Sequence, residues 1–258
     1  MTRVLRVIDT GLQSARWNIA VTAALTERHV AGEIADTLRF HRYRPAVLIG
    51  RHQQIDQACD AQACRRYAVD VARRITGGGA VYMTSGVLAF DLVIGRRVAG
   101  DQDRAASTIC HALARSLTRL DKSGRLVACS RALNDVVIDG RKVVGAAGYY
   151  DGATFACQGA IMVDMDFAVM ADVLALPAPL GPHLTDLREH LGPAADHHTL
   201  TGVLTGELAQ VFGYAVGSDT LDDATMQLAE RMRMGGTGDA EDRSFGCAAS
   251  PLMREQAS

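Results

Sequence analysis

The chain has 258 residues, a formal net charge of -2 and 48% hydrophobic residues. That length supports one large domain with an ample core, and the near-neutral balance gives no bulk electrostatic reason to expect nucleic-acid binding. No apolar run approaches the roughly 18 residues of a membrane span and the first residues lack a signal core, so a cytoplasmic protein without membrane contact is expected.

In chain order, "VLRVID" alternates as a strand does, and "SARWNIAVTAALTERHVAG" carries Trp17, Ala20, Val21, Ala24 and Leu25 at helical spacing, with Ser14 as its cap and Gly32 at its end. "DTLRFHRY" and "AVLIG" predict strands on either side of Pro45. "DQACDAQACRRYA" predicts a helix, "VDVARRI" a strand, and "GGAVYM" and "VLAFDLVIG" two more strands. "RRV" at Arg96 reads as a solvated strand end. "DQDRAASTICHALARSLTRLD" predicts a strongly amphipathic helix. Residues 131–166 read as a run of strands with turns at Asp139-Gly140 and Asp151-Gly152. Two or three helical pieces follow to about Arg233. The last of them, "LDDATMQLAERMRM", is expected to pack on the sheet, and residues 234–258 read as a disordered, Gly-rich tail. Hairpin strands mixed with helices, without regular βαβ alternation, give an α+β fold with mixed and antiparallel sheets flanked by helices.

The six cysteines (Cys59, Cys64, Cys110, Cys129, Cys157 and Cys247) include no C-x-x-C pair and read as reduced thiols filling apolar gaps. His183, His197 and His198 fall in a polar stretch read as loop, without further ligands nearby.

Two stretches carry the functional signal. In "RRITGGGAVYMTSGVLAFD" (73–91), three glycines follow two arginines. No Gly-Lys-Ser/Thr follows and strand residues come next, so this is neither a P-loop nor a helix-opening dinucleotide fingerprint. The stretch is either a tight turn or a loop whose amides lie against an anion, with Arg73 and Arg74 supplying charge. In "NDVVIDGRKVVGAAG" (134–148), Lys142 follows a turn, and strict alternation puts it on one face with Val144 and puts Arg141 and Val143 on the other. Taken alone, a solvated hairpin lysine and a functional one are both open.

These two motifs, in this order, resemble the lipoate–protein ligase A family, which shares its catalytic fold with biotin–protein ligases and lipoyl or octanoyl transferases. "DTGLQSARWNIA", "TLRFHRYRPAVLIGRHQ" and "GAIMVDMDF" agree, and the resemblance covers roughly residues 7 to 192. It implies a catalytic domain over residues 1–233 and a two-step reaction. A lipoate or octanoate carboxylate attacks the α-phosphorus of ATP to give an acyl-adenylate, and a lysine of a lipoyl-carrier domain or lipoate-binding protein then takes the acyl group. By motif position, Arg74, Gly77, Gly78, Gly79, Ala80, Val81 and Tyr82 hold the nucleotide. Lys142 touches the acyl carbonyl and the phosphate as the catalytic residue, and Asn134 and Asp135 flank it, Asp135 also as a candidate Mg²⁺ ligand. A fixed ammonium between those oxygens stabilises charge that develops in both transition states.

The chain departs from the family pattern at several points. Met83, Thr84, Gly86 and Val87 replace the usual His-Asp and Gly-Asn, and Gly145-Ala146-Ala147 the usual Gly-Ser-Ala. Cys157-Gln158-Gly159 replaces His-His-Gly, and Thr22-Ala23 an acidic pair. The length leaves little room for the accessory domain many of these ligases carry, so a separate small subunit, or a subgroup that works without one, is expected. Short forms include the ligases for lipoate-binding proteins of sulfur-oxidising bacteria. Two further functions compete. One is ATP-independent octanoyl or lipoyl transfer through a thioester on Cys129, whose thiolate Arg131 would favour. The other is a non-catalytic acyl-binding protein.

Overall fold

The computed structural model describes residues 3–131, 134–174, 176 and 180–234. The tail expected over 234–258 therefore lies, after Met234, outside the described residues. The first half of the chain runs β1 (Arg3–Gln13), α1 (Ala15–Val30), β2 (Thr37–Tyr43), β3 (Ala46–Ile49), α2 (Ile55–Ala58), α3 (Ala61–Arg66), β4 (Asp70–Arg73), β5 (Val81–Met83), β6 (Val87–Gly95), α4 (Arg96–Ala99) and α5 (Gln102–Leu120). The second half adds β7 (Ala128–Arg131), β8 (Asp135–Ile138), β9 (Arg141–Asp151), β10 (Thr154–Met162), α6 (Phe167–Val173), α7 (Leu187–Leu191), a 3₁₀ turn (Gly192–Ala194), α8 (His197–Phe212), β11 (Tyr214–Ser218) and α9 (Asp223–Met234).

Among the described residues, eight strands form one sheet in the order β11-β1-β2-β6-β10-β9-β8-β7, and three form a second in the order β4-β3-β5. In the large sheet the pairs β11-β1 and β1-β2 are parallel and the rest antiparallel. This is the mixed α+β arrangement the sequence predicts. The central strand β6 explains how the layers stack. Leu88, Phe90, Leu92 and Ile94 point into a core shared with α5 and α8, while Val87 and Ala89 face the small sheet and Val93 meets α1. A strand buried on both faces reads as a nearly continuous apolar run, here 87–94 with the single charge of Asp91. Gly159, opposite Phe90 on β10, lets the Phe90 ring lie flat: a Cβ there would sit 2.1 Å from Phe90 Cε1.

Several local expectations are corrected. "DQACDAQACRRYA" is two short helices, because Asp60 leaves helical geometry and caps a new one, accepting from the Ala63 amide at 2.8 Å. "RRV" is the short helix α4, with the Arg96 guanidinium stacked 4.3 Å from the Tyr150 ring centroid. His197 and His198 open α8 behind the Asp196 cap rather than lying in a loop. β11 was not foreseen; five residues added parallel to β1 give too short a period-2 signal to separate from a loop. Helix α9 packs through Ala229, Leu228 and Met232 on α1, not mainly on the sheet. Ser14 caps α1 as predicted, its hydroxyl accepting from the Trp17 amide.

Candidate active site

A cavity of about 390 Å³ lies between the two sheets, within the range of small-molecule sites. Its floor is one face of the large sheet: His41 on β2, Ala89 and Asp91 on β6, Gln158, Ala160 and Met162 on β10, and Gly145 and Ala147 on β9. Its roof is residues 74–83, and Met170 and Leu174 close one side.

The roof is shaped by Arg74. Its Nε donates to Thr76 Oγ1 (3.1 Å), Nη1 to the Leu48 carbonyl (3.0 Å), and Nη2 to the carbonyls of Gly77 (2.7 Å) and Gly79 (2.8 Å). Three of the five guanidinium N–H bonds thus hold the loop and a fourth ties it to β3, and Gly78 completes its turn at φ +93°. The neighbouring Arg73 braces the roof from outside, donating to the carbonyls of Gly50, Arg51 and Gln53. The close approach needs Gly50, where a Cβ would lie 1.9 Å from the Gly78 oxygen. Gly77 and Gly79 leave open space where a Cβ would be and are exposed at the rim. Arg74 itself is buried, and burial lowers its proton affinity. No carboxylate among the described residues lies within ion-pairing distance of it. The cavity wall therefore holds a cation whose charge no carboxylate among the described residues cancels.

Lys142 enters from the opposite wall. Its Nζ lies 2.6 Å from Asp135 Oδ1, and Arg131 approaches the same carboxylate at 3.6 Å. The backbone is clamped by the crossing segment: the Lys142 amide donates to the His183 carbonyl (2.9 Å) and the Thr185 amide to the Lys142 carbonyl (3.0 Å). The alternation expected at this strand fails. Val136 pairs with Val144 but Val137 pairs with Lys142, so Val143 is an extra residue on β9. Lys142 and Val144 consequently face opposite sides, and Val143 and Val144 are both buried in the core. The bulge turns Lys142 onto the side of Gly145, which pairs with Asp135. A Cβ at Gly145 would lie 3.1 Å from both Lys142 Cε and Nζ.

Arg74, residues 77–82, Asn134, Asp135 and Lys142 all line this one cavity. Cys129 does not: it is exposed on β7, the outermost strand, beside His111 and Thr118 of α5. As a metal ligand Asp135 fits poorly, since two cations already hold it, and no group of three or more His, Cys, Asp or Glu side chains suited to a metal occurs among the described residues. Sequence reasoning missed the far end of the cavity. There the fully buried Arg39 donates to Asp91 Oδ2 (2.8 Å), to the Thr10 hydroxyl (3.0 Å) and to Asn18. Burial raises the Asp91 carboxyl and lowers the His41 imidazole well below its ordinary value, with the Arg39 charge adding to the latter. A charged pair inside "TLRFHRY" and "LAFDLVI" was the available signal.

A family model for the lipoyl protein ligase A/B catalytic domain matches residues 14–209. The chain belongs to that family. Within the lipoyl protein ligase A/B family it is 26% identical, over 88% of its own length and 94% of the relative's, to octanoyltransferase LipM of Kyrpidia tusciae. It is 32% identical to lipoate-protein ligase A subunit 1 of Thermoplasma acidophilum, over 54% of this chain and 55% of that one. The fold is that of a lipoate-protein ligase A solved with ATP bound (TM-score 0.76, 22% identity, 91% and 95% of the two chains). It is also that of the bi-partite lipoate protein ligase of Thermoplasma acidophilum, solved in a study with its E2 lipoyl domain (TM-score 0.74, 22% identity, 91% and 92%). The chain is thus an enzyme of the lipoate-ligase and octanoyl-transferase family, and its departures from the family pattern have a structural logic. Where an acidic pair is usual, Thr22 stands, and its hydroxyl donates to Asp91 (2.9 Å); the carboxylate paired with Arg39 comes from β6. Gln158, at a usual histidine, accepts from Thr76 Oγ1 at 2.9 Å and so ties the floor to the roof. Gly86 is required where it stands, since a Cβ would lie 1.9 Å from the Asp164 oxygen.

Proposed function

We propose that the protein is an ATP-dependent ligase that activates lipoate or octanoate as the acyl-adenylate and passes it to a lysine of a lipoyl-carrier domain. One observation carries the choice of ligase over transferase. The cavity holds Lys142 and the uncancelled Arg74 charge but, among its described lining residues, no cysteine, while Cys129 lies outside it. An anionic ligand answers both cations; a thioester route has no sulfur within the cavity.

In this reading the acid lies along the floor with its carboxylate at Lys142. A carboxylate oxygen attacks the α-phosphorus and pyrophosphate leaves. The carrier amine then attacks the acyl carbonyl carbon, loses a proton, and AMP departs. The Lys142 ammonium donates to the oxygens that gain charge in each step, at an expected gain of about 3–4 kcal/mol, and Asp135, 2.6 Å from its Nζ, keeps it aimed. The 77–82 segment lies along the nucleotide, with Arg74 fixing its shape and lending long-range positive charge. Asn134, at the rim, keeps the Lys142 strand in place, its carbonyl accepting from the Ala146 amide at 2.9 Å. Asp135, already held by Lys142 and Arg131, is not assigned as a metal ligand; Mg²⁺ accompanying ATP would supply charge neutralisation at the phosphates.

The partner would be a lipoyl-carrier domain, as the E2 lipoyl domain studied with the bi-partite archaeal ligase supports, and a separate small subunit is part of the proposal on the same ground. No helix among the described residues is long and apolar enough to cross a membrane; a cytoplasmic location is part of the proposal. The names of the LipM relatives favour the second reading, octanoyl transfer through Cys129. The test is incubation with ATP, Mg²⁺ and lipoate or octanoate followed by mass spectrometry. Acyl-adenylate is expected; its absence with both acids, from protein that acylates a carrier when given an octanoyl thioester, would overturn the ligase reading.

A further inference from the structure

The far end of the cavity is polar where a hydrocarbon tail would end. His41 and Lys142 stand on β2 and β9, three strand spacings apart in the sheet order, which is about 14 Å. An extended eight-carbon chain spans about 10 Å, given C–C bonds of about 1.5 Å. With the carboxylate at Lys142 Nζ, the last carbons of such a chain therefore arrive beside His41, Asp91 and Gln158, all lining residues. The middle of the path is apolar, between Ala89, Ala160 and Met83.

The hydrogen bonds of this end are incomplete. His41 is buried and its Nε2 lies 3.2 Å from the Tyr43 hydroxyl, but Nδ1 has no hydrogen-bond partner among the described residues. Asp91 Oδ2 stands 3.8 Å from Nδ1, beyond hydrogen-bond distance and already taken by Arg39 and Thr22. Gln158 Nε2 reaches Asp91 Oδ1 only at 3.4 Å. A buried polar atom without a partner is costly, and one lining a ligand cavity is answered most simply by the ligand. The charge at this end is balanced: Asp91 would repel an anionic tail, and Arg39, held by Asp91, Asn18 and Thr10, a cationic one.

We infer that the preferred acid has about the length of lipoate or octanoate but carries a neutral hydrogen-bonding group, a hydroxyl or an amide, at its distal end, received by His41 and Gln158. The inference rests on the proposed acyl site for its direction, with the carboxylate at Lys142. His41 is then a specificity-determining residue, and the placement of Asp91 on β6 is what makes this end polar.

Calorimetric titration of the full chain with octanoate, lipoate, 8-hydroxyoctanoate, the mono-amide of octanedioic acid and octanedioate tests it. At least one of the two neutral polar acids should bind roughly tenfold or more tightly than octanoate and lipoate, because a site built around a hydrogen bond rejects the analogue lacking it. In His41→Phe that preference should vanish while octanoate binding is kept or improved. Octanoate or lipoate binding best to the wild type overturns the inference and leaves the acyl-ligase reading standing; octanedioate binding best overturns the neutral end. Failure of every acid to bind overturns both. The wild-type series decides the matter even if His41→Phe does not fold.

Discussion

Lys142 and the glycine beneath it are the residue-scale core of the account. Lys142→Ala should leave the melting temperature nearly unchanged, because the side chain is about one third exposed. It should lower acyl-adenylate formation by about 10²–10³, the loss of about 3–4 kcal/mol of transition-state stabilisation; near wild-type turnover would remove it from the mechanism. Gly145→Ala is a subtler probe. The added Cβ meets only the flexible end of Lys142, so stability should hold, while displacement of the ammonium should cost about tenfold or more in rate. Single-turnover kinetics and a thermal melt together separate the two effects. His41 supplies a pH signature. Burial and Arg39 hold its imidazole well below the ordinary value of 6.5, so the unfolded chain takes up the proton first on acidification. The stability contributed by neutral His41 is complete above about pH 6.5 and is lost as the pH falls below it. His41→Phe should therefore flatten the decline in stability between pH 7.5 and 5.5. His197, also held low by burial, titrates in the same direction and remains in both proteins, so the comparison isolates His41.

At the scale of elements, α1, β2 and β6 are joined by the Arg39–Asp91 pair, with Thr22 and Asn18 completing the shell. Breaking such a pair from one side strands a buried charge. Asp91→Asn should lower the free energy of unfolding by about 3–5 kcal/mol, read from urea denaturation midpoints; a change below 1 kcal/mol would mean that Arg39 finds another partner. The same elements show where sequence reasoning reaches and stops. The periodicity of α5 was legible because it has one continuous apolar face, while α1, buried all round over residues 18–26, was legible from its apolar run and its Ser14 cap. The β9 face assignment failed because a bulge is one inserted residue, invisible to a period-2 count, and that residue decides which way Lys142 points. The glycine loop was legible as a loop, but not the fact that Arg74 spends its donors on holding it. Its partners are the Thr76 hydroxyl, the Leu48 carbonyl on another strand, and the carbonyls of Gly77 and Gly79, which carry no sequence signature.

For the whole molecule, the α+β class followed from strand runs and helices without βαβ order, and the family followed from two motifs that the fold brings onto one cavity. The polar far end was not legible, because Arg39 and Asp91 are 52 residues apart and become neighbours only when β2 pairs with β6. The central claim is that the acyl group is activated on phosphate within this cavity and not on sulfur at Cys129. The most direct measurement compares the wild type with Cys129→Ser on a lipoyl-carrier domain, using either free acid with ATP and Mg²⁺ or an octanoyl thioester carrier as donor. Cys129 is exposed and outside the cavity, so carrier acylation from free acid and ATP should persist in Cys129→Ser at close to the wild-type rate. Acylation by the wild type from the thioester donor alone, abolished in Cys129→Ser, would contradict the account.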